Sequence, residues 1–299
     1  MCCLGLFALM VAASVKGAVS GDAQIRAKAG ASEIVITTTS RLAGAIHSLT
    51  WNGREFINSA DHGRQLQSAA NFDAGAALIA ETFNPTEAGS RFDGAGPKST
   101  SELRVLNAKG KGLSTVSQMA FWLRPGEKSG VNLAKNYTEL SNHLLKKTVT
   151  IGAHGLPHAI GYHVTFTIPK GEAHKHAVFE AVTGYMPAAF SNFHAYDLKA
   201  QKLMPLTDGP GEQRHPVILS TPDAKHAMGV WSPVQPLPGY GRWRFKREKV
   251  VKWNCVFRVS HPRAVPPGEH PFQCYVVVGS LKNVTDTISE LHRRHGKRP

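Results

Sequence analysis

Ala159-Ile-Gly-Tyr-His-Val-Thr-Phe-Thr-Ile168 is the stretch that decides how this chain folds. Ile160, Tyr162, Val164, Phe166 and Ile168 fall on one side of an extended backbone, and His163, Thr165 and Thr167 on the other. Successive side chains of a strand point to opposite faces, so strict period-two alternation predicts a β-strand with one buried face. Residues 142–151 read as the strand before it. His154-Gly-Leu-Pro157 supplies the turn between the two runs, which predicts a hairpin.

The same rhythm runs outward in both directions. Residues 33–38 form a strand, and residues 44–51 lead into Asn52-Gly53, a pair suited to the positive φ angles of a two-residue hairpin turn, before residues 54–57 return. Residues 113–123 read as strand up to the break at Arg124-Pro-Gly126, and residues 178–186, 217–220 and 227–231 add more. Val251, Trp253, Cys255, Phe257 and Val259 share one face; Phe272, Cys274, Val276 and Val278 share another. Folded as a hairpin about residues 261–271, these runs set Cys255 opposite Cys274, within disulfide reach, although two buried thiols side by side fit the pattern equally well. Val284, Ile288 and Leu291 recur at helical spacing and predict one amphipathic helix near the C-terminus. The fold class is therefore all-β: a large antiparallel β-sandwich with a short C-terminal helix, one domain over residues 21–292, and a basic tail over 293–299.

The 299 residues include 28 Gly and 18 Pro, with 19% charged residues and a formal charge of +14. Residues 2–15 are apolar and uncharged but shorter than the roughly 20 residues of a membrane span. With Lys16 and the small residues Ala18-Val-Ser20 behind them, they predict a signal peptide over 1–20, no integral membrane span, and a secreted or periplasmic protein, where a disulfide is permitted. The positive charge favours anionic polysaccharides, cell-wall polymers or membrane surfaces as partners, or else serves solubility alone. No helix-turn-helix, zinc module or basic-aromatic stripe points to nucleic acid. A nucleophile elbow, phosphate loop and dinucleotide fingerprint are also missing from the sequence. His154 and His158 are separated by helix-breaking Gly155 and Pro157, and His174 and His176 lack a third partner at ligand spacing, so the expected metal and cofactor content is none. A structural cation in the acidic loop 81–93 is the one exception the composition allows.

Asn58-Ser-Ala-Asp-His-Gly-Arg-Gln-Leu-Gln67 and Glu81-Thr-Phe-Asn-Pro-Thr-Glu-Ala-Gly-Ser-Arg-Phe-Asp93 pack acids, amides, one His and two Arg with little apolar filler. Such groups are costly to bury unpaired, so together they predict one rim of a polar pocket. His62, beside Asp61, is a candidate acid or base, or else a turn cap. Arg64 suits two oxygens at once, those of a ligand or those of Asp61 or Glu55. Glu81 and Glu87 offer the two carboxylates of glycoside hydrolysis, or else tie down the long loop. Gln65, Asn84 and Arg91 extend the hydrogen-bonding set. Tyr185, Tyr240, Arg242 and Trp243 sit beside Gly and Pro turns, where aromatic faces stack on sugar rings or close one end of the core.

Gly44-Ala-Ile-His-Ser-Leu-Thr-Trp-Asn-Gly-Arg-Glu-Phe56, followed by Gly63-Arg-Gln-Leu-Gln67, resembles the opening of galactose mutarotase-like proteins. The resemblance covers about the first quarter of the chain after residue 20. It implies a β-supersandwich, a scaffold shared by aldose epimerases, glycoside hydrolase domains and some polysaccharide lyases. It also implies that Arg64 reaches a sugar hydroxyl or carboxylate, that His143 of Asn142-His143 stands where epimerase members carry a catalytic His, and that Glu212 stands for their late Glu. Leu144-Leu145 follow His143 where the family has aromatics. The expected function is a secreted carbohydrate-active enzyme cleaving glycosidic bonds by carboxylate acid/base chemistry, acting on a polysaccharide or oligosaccharide. The alternatives are a polysaccharide lyase on an acidic glycan, an aldose epimerase, and a non-catalytic glycan-binding protein.

Overall fold

Ala159–Ile168 pairs antiparallel with Leu140–Ile151, as its alternation predicts. The computed structural model describes residues 19–75, 77–234, 236 and 238–295. All but the last two residues of the expected signal peptide, and residues 296–299 of the basic tail, lie outside the described residues. Asn52 and Gly53 both carry positive φ, 50° and 70°, and join Ile46–Trp51 to Arg54–Glu55. That is the turn geometry whose twist matches a hairpin.

The ladder forms two broad antiparallel sheets. The first runs, in spatial order, Glu102–Lys109, Gly112–Phe121, Leu140–Ile151, Ala159–Ile168, Gly268–Gly279, Ala227–Trp231, Val217–Ser220, Asn192–Asp197 and Lys202–Pro205. The second runs Ala23–Ala29, Ser32–Thr38, Ile46–Trp51, Leu66–Phe72, His176–Pro187, Val250–Ser260, Tyr240–Phe245 and Gly211–Gln213. Pro85–Thr86 pairs with both Leu66–Phe72 and Gly112–Phe121 and links one sheet to the other. One hydrophobic cluster takes side chains from both, including Tyr162, Phe166 and Val276 from the first and Leu66, Phe179 and Trp253 from the second. Burying the inner face of each sheet against the other makes a β-sandwich.

Two expectations change. Val250–Ser260 and Gly268–Gly279 do not form a hairpin; they occupy opposite sheets, paired with His176–Pro187 and Ala159–Ile168 respectively. Alternation identifies the buried face of a strand but not its neighbour, and sequence proximity misled here. Cys255 and Cys274 both point inward from these two strands, as free, fully buried thiols. Glu102–Lys109 is a further strand, mostly exposed and therefore without an apolar alternation to announce it.

The C-terminal helix, Leu281–His295, lies on the outer face of the first sheet. Val284, Ile288 and Leu291 are fully buried there against Ile218, Trp231, Tyr275 and Val277. Its start is fixed by reciprocal bonds: the Asn283 amide donates to Ser280 Oγ at 3.1 Å and the Ser280 amide to Asn283 Oδ1 at 3.1 Å. This capping-box arrangement satisfies two backbone donors at the helix start that have no partner within the helix. Among the described residues no helix is long and apolar enough to cross a membrane.

Candidate functional site

The outer face of the second sheet carries a polar cavity instead of a helix. Strand alternation puts Lys252 and Asn254 outward from Val250–Ser260 while Val251, Trp253 and Cys255 fill the core. The neighbouring strand, His176–Pro187, would by the same rule send Glu180 and Thr183 to opposite faces. A β-bulge prevents this. Glu180 pairs with Val256 but Val182 with Cys255, leaving Ala181 unopposed, and the register against Leu66–Phe72 shifts at the same place. One extra residue swaps the faces beyond it, so Glu180, Thr183 and Tyr185 all reach the cavity.

Glu180 is the centre of this arrangement. Its Oε2 accepts from Thr183 Oγ1 at 2.8 Å, from Lys252 Nζ at 3.3 Å and from Asn254 Nδ2 at 3.3 Å. Burial alone would raise its pKa, but the Lys252 ammonium and the three donors outweigh burial and hold the carboxyl below its ordinary value. Lys252 shows the converse: burial would lower it, and Glu180 holds it above the usual lysine value. Burial raises the Tyr185 phenol. At neutral pH the floor of the cavity is thus a carboxylate, an ammonium and a neutral phenol, with Nζ 5.2 Å from the Tyr185 ring centre.

Around that floor lie two connected depressions of about 310 and 250 Å³, which share Gly63, Glu81, Trp122, Tyr185, Trp243 and Lys252. Together they reach the size of a small-ligand site, roughly 300–1,000 Å³. Trp243 is 43% exposed and stacks on Phe245, with centroids 4.8 Å apart and planes 18° apart. Trp122 also lines the cavity and packs close enough to Gly63 that an added Cβ would sit 2.7 Å from the indole. Arg64 lines the cavity with its guanidinium 3.2 Å from Asp61. Glu81 lines it too, with φ at +68°, a backbone region that is strained for a side-chain-bearing residue. The Asn71 side chain accepts the Glu81 amide at 2.8 Å and holds that conformation, while Ser129 Oγ donates to the Glu81 carboxylate.

The residues singled out in the sequence divide accordingly. Arg64, Glu81, Asn84, Tyr185 and Trp243 converge on the cavity. His62 is buried off its wall, with Nδ1 2.7 Å from the Gly94 carbonyl and Nε2 2.9 Å from that of Arg41, so it ties loops together. Gln65 is buried and donates to the Asp61 carbonyl. Glu87 lies inside the sandwich, fully buried in an ion pair with Lys147 and accepting the Ser68 amide at 3.1 Å. Arg91 reaches Glu127 at 3.4 Å on the surface, and Glu212 pairs with Arg258 at 2.8 Å. Tyr240 is a core residue whose hydroxyl accepts the Ser232 amide, and Arg242 braces Thr207 and Gln213. His143 sits between the sheets, where burial pulls its imidazole down to about 4. Glu180, Lys252, Thr183, Asn71 and Trp122 were not foreseen. Lys252 and Asn254 had a signal, since they occupy the polar face of a strand whose apolar face was evident. Glu180 had none, because a bulge leaves no mark on the alternation before it.

A larger depression beside the helix, lined by Tyr196, Leu203, Glu290 and Arg293, lacks such a convergent set, because Glu290 is closed into ion pairs with Arg293 and Arg294.

No family model and no curated protein matches the sequence. Solved structures do match. An α-galactosidase from Lactobacillus brevis aligns over 87% of this chain and 40% of its own, at 8% identity and a TM-score of 0.48. A polysaccharide lyase aligns over 88% of this chain and 35% of its own, at 10% identity and a TM-score of 0.45. A candidate aldose 1-epimerase from Klebsiella pneumoniae aligns over 93% of both chains, at 10% identity and a TM-score of 0.43. The chain therefore spans well under half the length of the first two and nearly the whole of the third. At such identities and scores these likenesses assign it neither a family nor an activity.

Proposed function

We propose that the protein is a carbohydrate-active enzyme that cleaves glycosidic bonds in the cavity on the second sheet. The observation that carries this reading is Glu180: an ionised carboxylate with three donors on one oxygen, at the floor of a cleft walled by Trp122 and Trp243. Sugar rings pack their C–H faces on aromatic side chains, while Arg64, Asn84 and Asn71 offer hydrogen bonds to hydroxyls. A carboxylate held ionised suits the role of nucleophile or stabiliser of an oxocarbenium-like transition state. Glu81, a cavity-lining residue already singled out in the sequence, is the partner carboxylate and general acid in this reading. Its strained backbone supports a functional role, since such strain persists where the surroundings enforce it.

Elimination from a uronate is the second reading, favoured by one specific feature. Lys252 and Arg64 place two cations in the cleft beside a neutral phenol, Tyr185. Cations neutralise a uronate carboxylate, and a phenol next to an ammonium can carry a proton between carbon and leaving oxygen. Incubation with neutral and uronate-containing polysaccharides separates the two. New reducing ends without ultraviolet absorbance mean hydrolysis; both signals together mean elimination. Glu180→Gln is expected to lower either activity by about 10²–10³-fold, the usual cost of a lost charge-stabilising group. Wild-type turnover by that variant would overturn the assignment of the site, and retention on a glycan without product would reduce the protein to a binding module.

A further inference from the structure

On the core side of the strand that supplies Asn71 to the cavity, Phe72 points between two histidines, with ring centres 4.9 Å from His143 and 4.7 Å from His174. Both imidazoles turn Nε2 onto the same oxygen of Glu172, at 3.3 Å for His143 and 2.9 Å for His174. The three donor groups lie within 4.8 Å of one another. We propose that His143, Glu172 and His174 form a binding site for a divalent transition ion of the zinc class, which clips the segment carrying Glu172 and His174 to strand Leu140–Ile151.

Three observations support the site independently of the cavity. First, the His143 side chain is 3% exposed and neither of its ring nitrogens has a hydrogen-bond partner. A buried imidazole left that way is costly, and an ion on Nε2 would satisfy the nitrogen already aimed at the cluster. Second, His174 Nδ1 bonds the main-chain carbonyl of Asp73. Nε2 also donates to Glu172 at 2.9 Å, so without an ion the ring carries both protons; an ion would take the place of the Nε2 proton while Nδ1–H keeps its carbonyl, the outer support that metal-ligating histidines characteristically have. The Asp73 carboxylate also accepts the amides of Lys175 and His176, at 3.1 and 2.7 Å, which fixes the turn that presents His174. Third, the His143–Glu172 edge of 3.3 Å equals the ~3.3 Å edge of a tetrahedron built on bonds of about 2.0–2.1 Å, and the His174–Glu172 edge of 2.9 Å needs only a small widening to reach it.

The donor set selects the ion. Two neutral imidazoles and one carboxylate suit Zn²⁺ or Co²⁺, and are too nitrogen-rich for Ca²⁺ or Mg²⁺. Phe72, Phe83 and Phe121 surround the rings with apolar surface. Glu172 and His174 also line an open depression of about 630 Å³ with Leu133 and Tyr137, which gives an ion a path in and leaves a fourth position for water.

The test uses the full chain, stripped with chelator and titrated with Co²⁺ and then Zn²⁺, and needs no glycan, so it stands or falls apart from the proposed activity. The expected result is one equivalent of Co²⁺ with the intense visible bands of tetrahedral coordination, displaced by Zn²⁺, and a melting temperature raised by either ion. His174→Gln should abolish the bands, and Glu172→Gln should weaken binding at least tenfold. His154→Gln, which alters a histidine beside Tyr275 at the far end of the fold, should change nothing. Glu172 is partly exposed, so its variant is expected to fold even if a histidine variant does not. Absence of the bands in the wild type, or equal uptake by wild type and the Glu172→Gln variant, would overturn the site.

Discussion

Glu180 and Lys252 each keep the other charged, and the sign of that coupling sets a pH window. Glu180 has a folded-state pKa below its unfolded value, so its contribution to stability is full above the unfolded value, near 4.3, and is lost as pH falls through the folded one. Lys252 has a raised folded-state pKa, so its contribution is full below about 10.4 and is lost as pH rises through the folded value. The stability gap between wild type and a Glu180→Gln/Lys252→Met double variant is therefore expected to be flat from about pH 5 to 10 and to shrink on both sides. Urea melts across that range would reveal it, and a gap that changes through pH 7 would contradict the pairing. Glu87 tests a different kind of charge. Its partner Lys147 is fully buried, so Glu87→Ala leaves an unpaired ammonium in the core and is expected to cost about 3–5 kcal/mol. A variant that stays folded and fully active would confirm that Glu87 serves the fold and not the cleft.

At the scale of the element, the bulge at Ala181 decides which side chains meet. Ala181 is the unopposed residue, so its deletion leaves Glu180, Val182 and Thr183 in unbroken register with Val256, Cys255 and Asn254, and Glu180, Thr183 and Tyr185 stay on one face. The cavity set is therefore expected to survive the deletion with activity retained, while stability falls through loss of the buried Ala181 and of the Ser68 hydroxyl bond to its carbonyl; loss of activity in a folded deletion variant would contradict this register. Three residues further on, Gly184 lets Trp253 lie flat against the backbone, and a Cβ there would be 2.5 Å from the indole. Gly184→Ala is expected to cost about 1–3 kcal/mol through overpacking, read as a lower denaturant midpoint at unchanged slope. On the opposite sheet, Leu291→Ala should cost about 2–5 kcal/mol by opening a void under the helix.

These elements also show what could be read in advance. The strand Ala159–Ile168, the Asn52-Gly53 turn and the C-terminal helix each carry a local pattern tied to one conformation, and each appears where the pattern puts it. The cavity wall was legible where loop chemistry announced it, at Arg64, Glu81 and Trp243. What escaped depends on tertiary facts. The partner of a strand, the face swap of a bulge and the meeting of His143 with Glu172 and His174 leave no trace in spacing along the chain.

Across the whole molecule the formal charge is +14, so charge acts at long range as well as in the cleft. Retention on a uronate-containing polysaccharide is expected to weaken steeply as salt shortens the Debye length from ~10 Å at 0.1 M towards ~3 Å at 1 M, while binding of a neutral oligosaccharide in the cleft should barely respond. Column retention at several salt concentrations, compared between the two ligands, distinguishes surface attraction from cleft recognition. The placement of the last two strands bears on time instead of place. Gly268–Gly279 fills the middle of the first sheet and Val250–Ser260 sits inside the second, yet both follow every other strand of the two sheets in chain order. A growing chain that has reached only residue 249 holds two split sheets whose open edges await partners not yet made. Closure of the sandwich must wait until residue 279 has been made, and the many distant pairings then have to form together, which makes folding slow and leaves the nascent chain dependent on protection of its edges.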